Sequence, residues 1–426
     1  MDTIVALASA PGRAGVAVIR ISGSEAWRVC ERLCGSVPPP RRASLRKLST
    51  PDGDLIDEAL VLVFSEGESF TGERVVEFHV HGSSAVISAA LTACLAQDGT
   101  RGAEAGEFTR RAYEAGRMSI MEVEGLGDLI DAETDLQRRQ ALRLMGGEAE
   151  RKLSSWRDAL LQALVNTEAE IDFSDEELPT GLKERTQRFL GTARGGIEAE
   201  LAGRALSERL RDGFEVAIIG EVNVGKSTLL NALAGREAAI TSEYAGTTRD
   251  VIEVRMDIAG YPVTLIDTAG LRETSDPVEL IGIDRGSKRA EQADLRVYLK
   301  ASPQDDIKPL RHDDIVTLSK CDVWETEGVS GKTGEGLEQL VEEIVRRLGT
   351  GGRSSSVFSR ARHFSLLEEA ATTLREAEKL LRDEQSTPEI TAEQIRSAAA
   401  RLDMIMGRID VEEVLGGIFS SFCIGK

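Results

Sequence analysis

Gly220-Glu-Val-Asn-Val-Gly-Lys-Ser227 follows an apolar run, Phe214-Glu-Val-Ala-Ile-Ile219, and precedes Thr228-Leu-Leu-Asn-Ala-Leu233. The first run reads as a buried strand and the last as a helix. A glycine-rich turn with the spacing G-x-x-x-x-G-K-[ST] between strand and helix is a phosphate loop. Gly220 and Gly225 let the backbone curl so that successive N–H groups face phosphate oxygens. The helix that begins there adds its positive N-terminal end. Lys226 can reach the terminal phosphates and the Ser227 hydroxyl can bind Mg2+, while Asn223, Val224 and Thr228 complete the lining. The unit predicts an α/β domain that binds a nucleoside triphosphate.

Working outward, Thr264-Leu-Ile266 leads into Asp267-Thr-Ala-Gly270. An aspartate at the end of a second strand is placed to organise Mg2+. Thr268, Ala269 and Gly270 follow it, and the Gly270 N–H can sense a γ-phosphate without side-chain obstruction. Between these motifs lies Ser242-Glu-Tyr-Ala-Gly-Thr-Thr248, whose residues Ser242, Glu243, Tyr244, Ala245, Gly246 and Thr247 form a loop and whose Thr248 offers a second hydroxyl to Mg2+. After Ile315-Val-Thr-Leu318 comes Ser319-Lys-Cys-Asp322. The Asp322 oxygens suit the N1–H and exocyclic amine of guanine, whereas adenine presents an acceptor at N1. Lys320 would lay its alkyl stem along the base plane. Ser330, Gly331 and Lys332 resemble a loop that contacts the guanine carbonyl. GTPases usually carry asparagine where Ser319 stands, and serine lacks the amide that braces the site. Guanine specificity with weakened affinity is therefore expected. In this order and spacing, the elements predict a switch GTPase rather than a generic ATPase.

Leu271 follows Asp-Thr-Ala-Gly, where small signalling GTPases place a glutamine that orients the attacking water. Leucine cannot do so. Two residues are candidates for the missing role: Asn223 could help hold a monovalent cation in place of an arginine finger, and Glu279 could swing a carboxylate towards the water.

The ends of the chain carry further motifs. Asp2-Thr-Ile-Val-Ala6, Pro11-Gly-Arg-Ala-Gly15, Arg20-Ile-Ser-Gly23, Phe70-Thr-Gly-Glu73, Gly106-Glu-Phe-Thr-Arg-Arg-Ala112, Asp128-Leu-Ile-Asp-Ala132 and the terminal Phe419-Ser-Ser-Phe-Cys-Ile-Gly-Lys426 accompany the nucleotide motifs. Together they resemble the MnmE (TrmE) family of tRNA modification GTPases, over essentially the whole chain. The resemblance implies a GTPase that works with the flavoprotein MnmG to add a carboxymethylaminomethyl group to C5 of the wobble uridine of certain tRNAs. It implies potassium-dependent hydrolysis coupled to dimerisation of the nucleotide domains. It also implies a homodimer and a one-carbon unit carried by 5-formyl- or 5,10-methylene-tetrahydrofolate. By the same resemblance, Asn223, Ser242, Tyr244 and Thr247 would surround K+, Ser227 and Thr248 would hold Mg2+, and Glu279 would orient the water. Arg20, Glu77, Arg117 and Lys426 fall on the folate positions, and Cys423 on the family's C-terminal cysteine. Glu114-Ala-Gly-Arg-Met-Ser-Ile120 departs from the family's usual Asn-Gly-Lys-x-Asp-Leu; Arg117 keeps the charge of the lysine but not its geometry.

The expected fold class is α/β plus all-α. Residues 1–116 would form an α+β folate-binding and dimerisation domain. Residues 117–209 and 351–426 would make the two parts of a long-helix domain, with a doubly wound P-loop GTPase domain inserted as 210–350. Leu153, Trp156, Leu160, Leu164 and Ile171 recur at helical spacing and predict a buried stripe. The formal charge of −20 and the 4% aromatic content argue against a strong autonomous nucleic-acid binder. A tRNA substrate would then be gripped mostly by the partner. The five cysteines (30, 34, 94, 321 and 423) show no C-x-x-C pair and no disulfide framework. No signal peptide or membrane-spanning run is evident, and a cytoplasmic location is expected. A competing reading is a ribosome-assembly or scaffold switch, whose hydrolysis only times partner release.

Overall fold

The structure, a computed structural model, describes residues 2–173, 181–236, 253–267, 288–349, 355–383, 385–408, 415–416, 418–419 and 422–425. They gather into two compact units, Met1–Gly127 with Met406–Lys426, and Asp128–Ile405.

The first unit is built on a six-stranded sheet of order β3-β4-β5-β2-β1-β6. Its strands are β1 (Thr3–Leu7), β2 (Ala14–Ser22), β3 (Ser44–Ser49), β4 (Leu55–Phe64), β5 (Val75–Gly82) and β6 (Thr100–Gly102). Alternation of period two sends Ala17, Ile19 and Ile21 of β2 and Val76, Phe78 and Val80 of β5 inward. The helices Ala26–Cys34 and Ser84–Leu95 pack on that face, adding Val29, Cys30, Leu33, Ile87, Ala90 and Cys94 to one core. The intervening residues Arg20, Glu77 and His79 consequently share the opposite face. The C-terminal segment returns to this unit, where Ile424 forms an antiparallel bridge with Ala105.

The second unit combines a helical part with a five-stranded sheet. The helices Glu148–Asp172, Leu182–Ala202, Ala361–Arg382 and Pro388–Ile405 pack together. The expected stripe is buried at Leu153, Trp156 and Leu160, and continues through Ala163 and Thr167, whereas Leu164 and Ile171 are half-buried. The helix repeat of 3.6 carries the face away from a strict sevenfold spacing, so a small residue and a threonine occupy the tightest turns.

The sheet has the order β11-β10-β7-β9-β8. Its strands are β7 (Phe214–Gly220), β8 (Glu253–Ile258), β9 (Tyr261–Asp267), β10 (Leu295–Lys300) and β11 (Ile315–Leu318). Every neighbouring pair is parallel except the antiparallel pair β8 and β9. Along β7, Phe214, Val216 and Ile218 face a core shared with the helices Lys226–Arg236 and Leu337–Gly349. Ala217 and Ile219 face Ala290 and Ala293 on the other side. Helices thus cover both faces of a largely parallel sheet, a doubly wound arrangement. None of the described helices is long and apolar enough to cross a membrane.

Candidate functional site

In an open parallel sheet, ligands bind beyond the carboxyl ends of the strands where the strand order reverses. Here β7 lies between β9 and β10, and three sequence motifs leave the carboxyl ends of parallel strands. Gly220 ends β7, Asp267 ends β9 and Ser319 follows β11. Topology therefore gathers at one edge residues that the chain separates by about a hundred positions.

The phosphate loop is held by its own side chains. Lys226 is only 6% exposed. Its ammonium donates to the carbonyls of Gly220 at 2.7 Å and Glu221 at 2.8 Å. Burial pushes the Lys226 pKa down, and the Asp267 carboxylate opposes that shift. A cation drawn from water beside a helix N-terminus is matched by a polyphosphate. The Ser227 hydroxyl donates to Asp267 Oδ2 at 2.7 Å, and Asp267 is buried. A hydroxyl and a carboxylate side by side at the mouth of the loop are hard oxygen donors of the kind Mg2+ prefers. The ion, when bound, would neutralise charge on the phosphate oxygens. Val224 is buried and Asn223, Ser227 and Thr228 are exposed.

The base-recognition segment is tied to the same loop. Ser319 donates its hydroxyl to the Val224 carbonyl at 2.6 Å, and Lys320 donates to the Asn223 carbonyl at 2.9 Å. Asp322 sits in the short helix Cys321–Trp324 and is half-buried. Ser330, fully buried, accepts from the amides of Lys332 and Thr333. A Cβ at Gly331 would lie 2.8 Å from the Thr228 carbonyl, so only glycine lets this loop reach the first turn of the phosphate-binding helix. These bonds link residues far apart in sequence, and nothing in the tetrapeptide Ser-Lys-Cys-Asp announces them. Ser242, Glu243, Tyr244, Ala245, Gly246, Thr247 and Thr248 lie outside the described residues, as do Thr268, Ala269, Gly270, Glu279 and Lys426.

A second cluster sits on the outer face of the first unit. Arg20 and Glu77 are directly opposite on β2 and β5 and form a 2.9 Å ion pair. The Arg20 guanidinium stacks over the Phe108 ring, 5.7 Å from its centroid. Phe108 belongs to the Gly106–Ala112 motif, but nothing in that motif's spacing marks it as lying under Arg20. Arg117 donates to the Gly67 carbonyl at 2.9 Å. Cys423 is exposed and free, next to the Ile424 bridge to Ala105. Arg20 and Cys423 thereby approach the same stretch, residues 105–108, from opposite ends of the chain. Among the described residues, no group of His, Cys, Asp and Glu side chains could hold a metal ion by itself. His81 instead pairs with Asp57 at 2.8 Å.

A phosphate loop at the switch point of a doubly wound sheet, with a Ser–Asp pair at its mouth and a Lys-x-Asp segment braced against it, defines a P-loop GTPase. A family model for the MnmE helical domain matches residues 120–423, and one for the GTP-binding protein TrmE N-terminus matches residues 3–117. The chain is 51% identical to the tRNA modification GTPase MnmE of Roseobacter denitrificans, with all of both chains covered. It is 50% identical to that of Cereibacter sphaeroides, again over the full length of both. Among solved structures it resembles Era in complex with MgGDPNP and 16S ribosomal RNA nucleotides at a TM-score of 0.25 and 25% identity, covering 41% of this chain and 69% of that one, a likeness too low to argue from. The chain belongs to the MnmE family of tRNA modification GTPases and is a GTP hydrolase acting in tRNA modification.

Proposed function

We propose that this protein hydrolyses GTP in a potassium-dependent manner, coupled to dimerisation of its nucleotide domains. With the flavoprotein MnmG, this drives addition of a carboxymethylaminomethyl group to C5 of the wobble uridine of certain tRNAs in the cytoplasm. Asn223, with Ser242, Tyr244 and Thr247, takes K+, and Ser227 and Thr248 take Mg2+. Lys226, Thr268, Ala269 and Gly270 meet the phosphates, Asp267 organises the Mg2+, Asp322, Lys320 and Ser319 meet the guanine, and Glu279 orients the water. A folate one-carbon donor binds at Arg20, Glu77, Arg117 and Lys426, near Cys423.

The observation that carries the reading is Asn223. It is a non-glycine residue at φ 63°, exposed in the middle of the loop whose lysine and serine are already set. Asparagine is among the few non-glycine residues that accept a left-handed backbone as single residues, and such conformations cluster at functional sites. A carboxamide oxygen displayed there, in a chain with Leu271 in place of a water-orienting glutamine, is suited to a monovalent cation. The cation would supply the positive charge that an arginine finger otherwise brings. The test is steady-state GTP hydrolysis in KCl against NaCl at equal ionic strength. Strong stimulation by potassium, lost in Asn223→Ala while nucleotide still binds, is expected. Equal rates in the two salts would remove the potassium mechanism.

A further inference from the structure

We infer that Ser319 and Lys320, besides meeting the base, are positioning residues for the monovalent-cation site, because they hold the backbone that presents Asn223. This rests on the potassium reading above and extends it to residues that touch neither the cation nor the reacting phosphate.

Five non-glycine residues among those described have positive φ, and two of them are Asn223 (63°) and Lys320 (57°). Those two are joined to each other, since the Lys320 ammonium donates to the Asn223 carbonyl. The next carbonyl along, that of Val224, receives the Ser319 hydroxyl. Ser319 is 5% exposed, and a Cβ on Gly225 would lie 3.2 Å from its Oγ. Consecutive carbonyls of the phosphate loop are thus gripped by consecutive side chains of the base segment. Both carbonyls sit on the peptide units that follow Asn223 and Val224, so the grip fixes ψ of Asn223 and hence the direction of the Cα–Cβ bond from which its side chain reaches out. A serine hydroxyl has one proton to donate. With that proton committed to Val224, Ser319 meets the base only by packing or as an acceptor, and the donors that distinguish guanine are received by Asp322.

The consequence is a coupling between base and cation sites. Freeing either carbonyl lets Asn223 leave its left-handed conformation. The cation must then restore that conformation out of its own binding energy, and its apparent affinity falls. Losing one such hydrogen bond corresponds to roughly a three- to tenfold change.

The experiment uses the full-length protein and reads two quantities. One is the potassium concentration giving half-maximal stimulation of GTP hydrolysis. The other is the dissociation rate of N-methylanthraniloyl-GDP in KCl against NaCl, which requires no turnover and also reports that each variant is folded. Ser319→Ala and Lys320→Met should each raise half-saturating potassium by roughly three- to tenfold and shrink the difference between the two salts in nucleotide release. Ser319→Thr, which keeps the hydroxyl, should restore the native values. Asp322→Asn should raise the KM for GTP without moving half-saturating potassium. If Ser319→Ala and Lys320→Met raise only the KM for GTP, as Asp322→Asn does, the two residues serve the base alone and the inference fails. If the native protein itself ignores potassium, the potassium mechanism falls first and takes this coupling with it.

Discussion

Glu107 opens the helix Glu107–Glu114 with its side chain 2% exposed. Its carboxylate accepts from both terminal nitrogens of Arg101, from Arg111 and from the Glu104 amide. Burial alone would raise its pKa, but these donors overcome burial and hold it down at about 2. A carboxylate whose folded pKa lies below its unfolded value contributes stability above the unfolded value, near 4.5, and loses it as pH falls through the folded one. Glu107→Gln should therefore cost about 3 kcal/mol at neutral pH, the scale of breaking a buried pair by removing one partner. Denaturant titrations at pH 7 and pH 3 would check this. The gap between native and variant should narrow at pH 3, and a gap independent of pH would mean that the loss is packing rather than charge. Of this network the Glu107–Arg111 pair, four residues apart on one helix, is legible in the sequence, whereas Arg101 reaches Glu107 only because the chain turns at Gly106. The phosphate loop is legible because its whole motif, Gly220–Ser227, is one continuous stretch between a strand and a helix. Ser319 shows the boundary between the two cases. Its departure from asparagine reads from the sequence as a lost brace, whereas the fold gives its hydroxyl a loop carbonyl 95 residues away.

At the scale of elements, strands and helices were legible wherever one periodicity dominates. The outward placement of Arg20 and Glu77 follows from period two along β2 and β5, although their pairing across the sheet needs the register. The helix Glu148–Asp172 was legible as a helix, yet its buried stripe passes through Ala163 and Thr167 instead of the larger Leu164 and Ile171. Close approach of its neighbours explains this. Gly196, in the helix Leu182–Ala202, leaves space for the Trp156 indole, and a Cβ there would collide with the indole nitrogen. Trp156 in turn lies 6.2 Å from the Phe358 ring. A glycine inside a helix ordinarily costs about 1 kcal/mol against alanine, so Gly196→Ala at an open site would stabilise. Here overpacking should win, with a net loss of roughly 1–3 kcal/mol. Gly195 and Gly191 meet nothing within 4 Å and serve as controls. Alanine at either should raise the melting temperature while alanine at 196 lowers it. A rise at all three positions would show that the indole gives way.

At the scale of the unit Asp128–Ile405, the sheet is joined to the long helices by two passes of chain. One is the helix Arg204–Asp212, running into β7, and the other is the return through residues 355–360. Apolar burial holds these passes, with Leu210 in the sheet core and Val357 and Phe358 fully buried, and polar bonds tie them further. Asp128 accepts from Arg211 at 3.2 Å on the outgoing pass, and from Arg360 at 2.8 Å and Ser359 at 3.2 Å on the return. Glu200 accepts from the Ser356 hydroxyl at 2.6 Å and the Val357 amide at 3.0 Å. The Ser207 hydroxyl donates across to the Ser356 carbonyl, joining the two passes directly. Asp128 accepts from both passes, so it should set whether sheet and helices unfold together. In Asp128→Ala, calorimetry should resolve the unit's melting into separate sheet and helix transitions. Added GDP, which stabilises only what binds it, should raise the sheet transition alone. A single transition in the variant, shifted as a whole by GDP, would mean that Glu200 and Ser207 suffice to couple the two parts without Asp128.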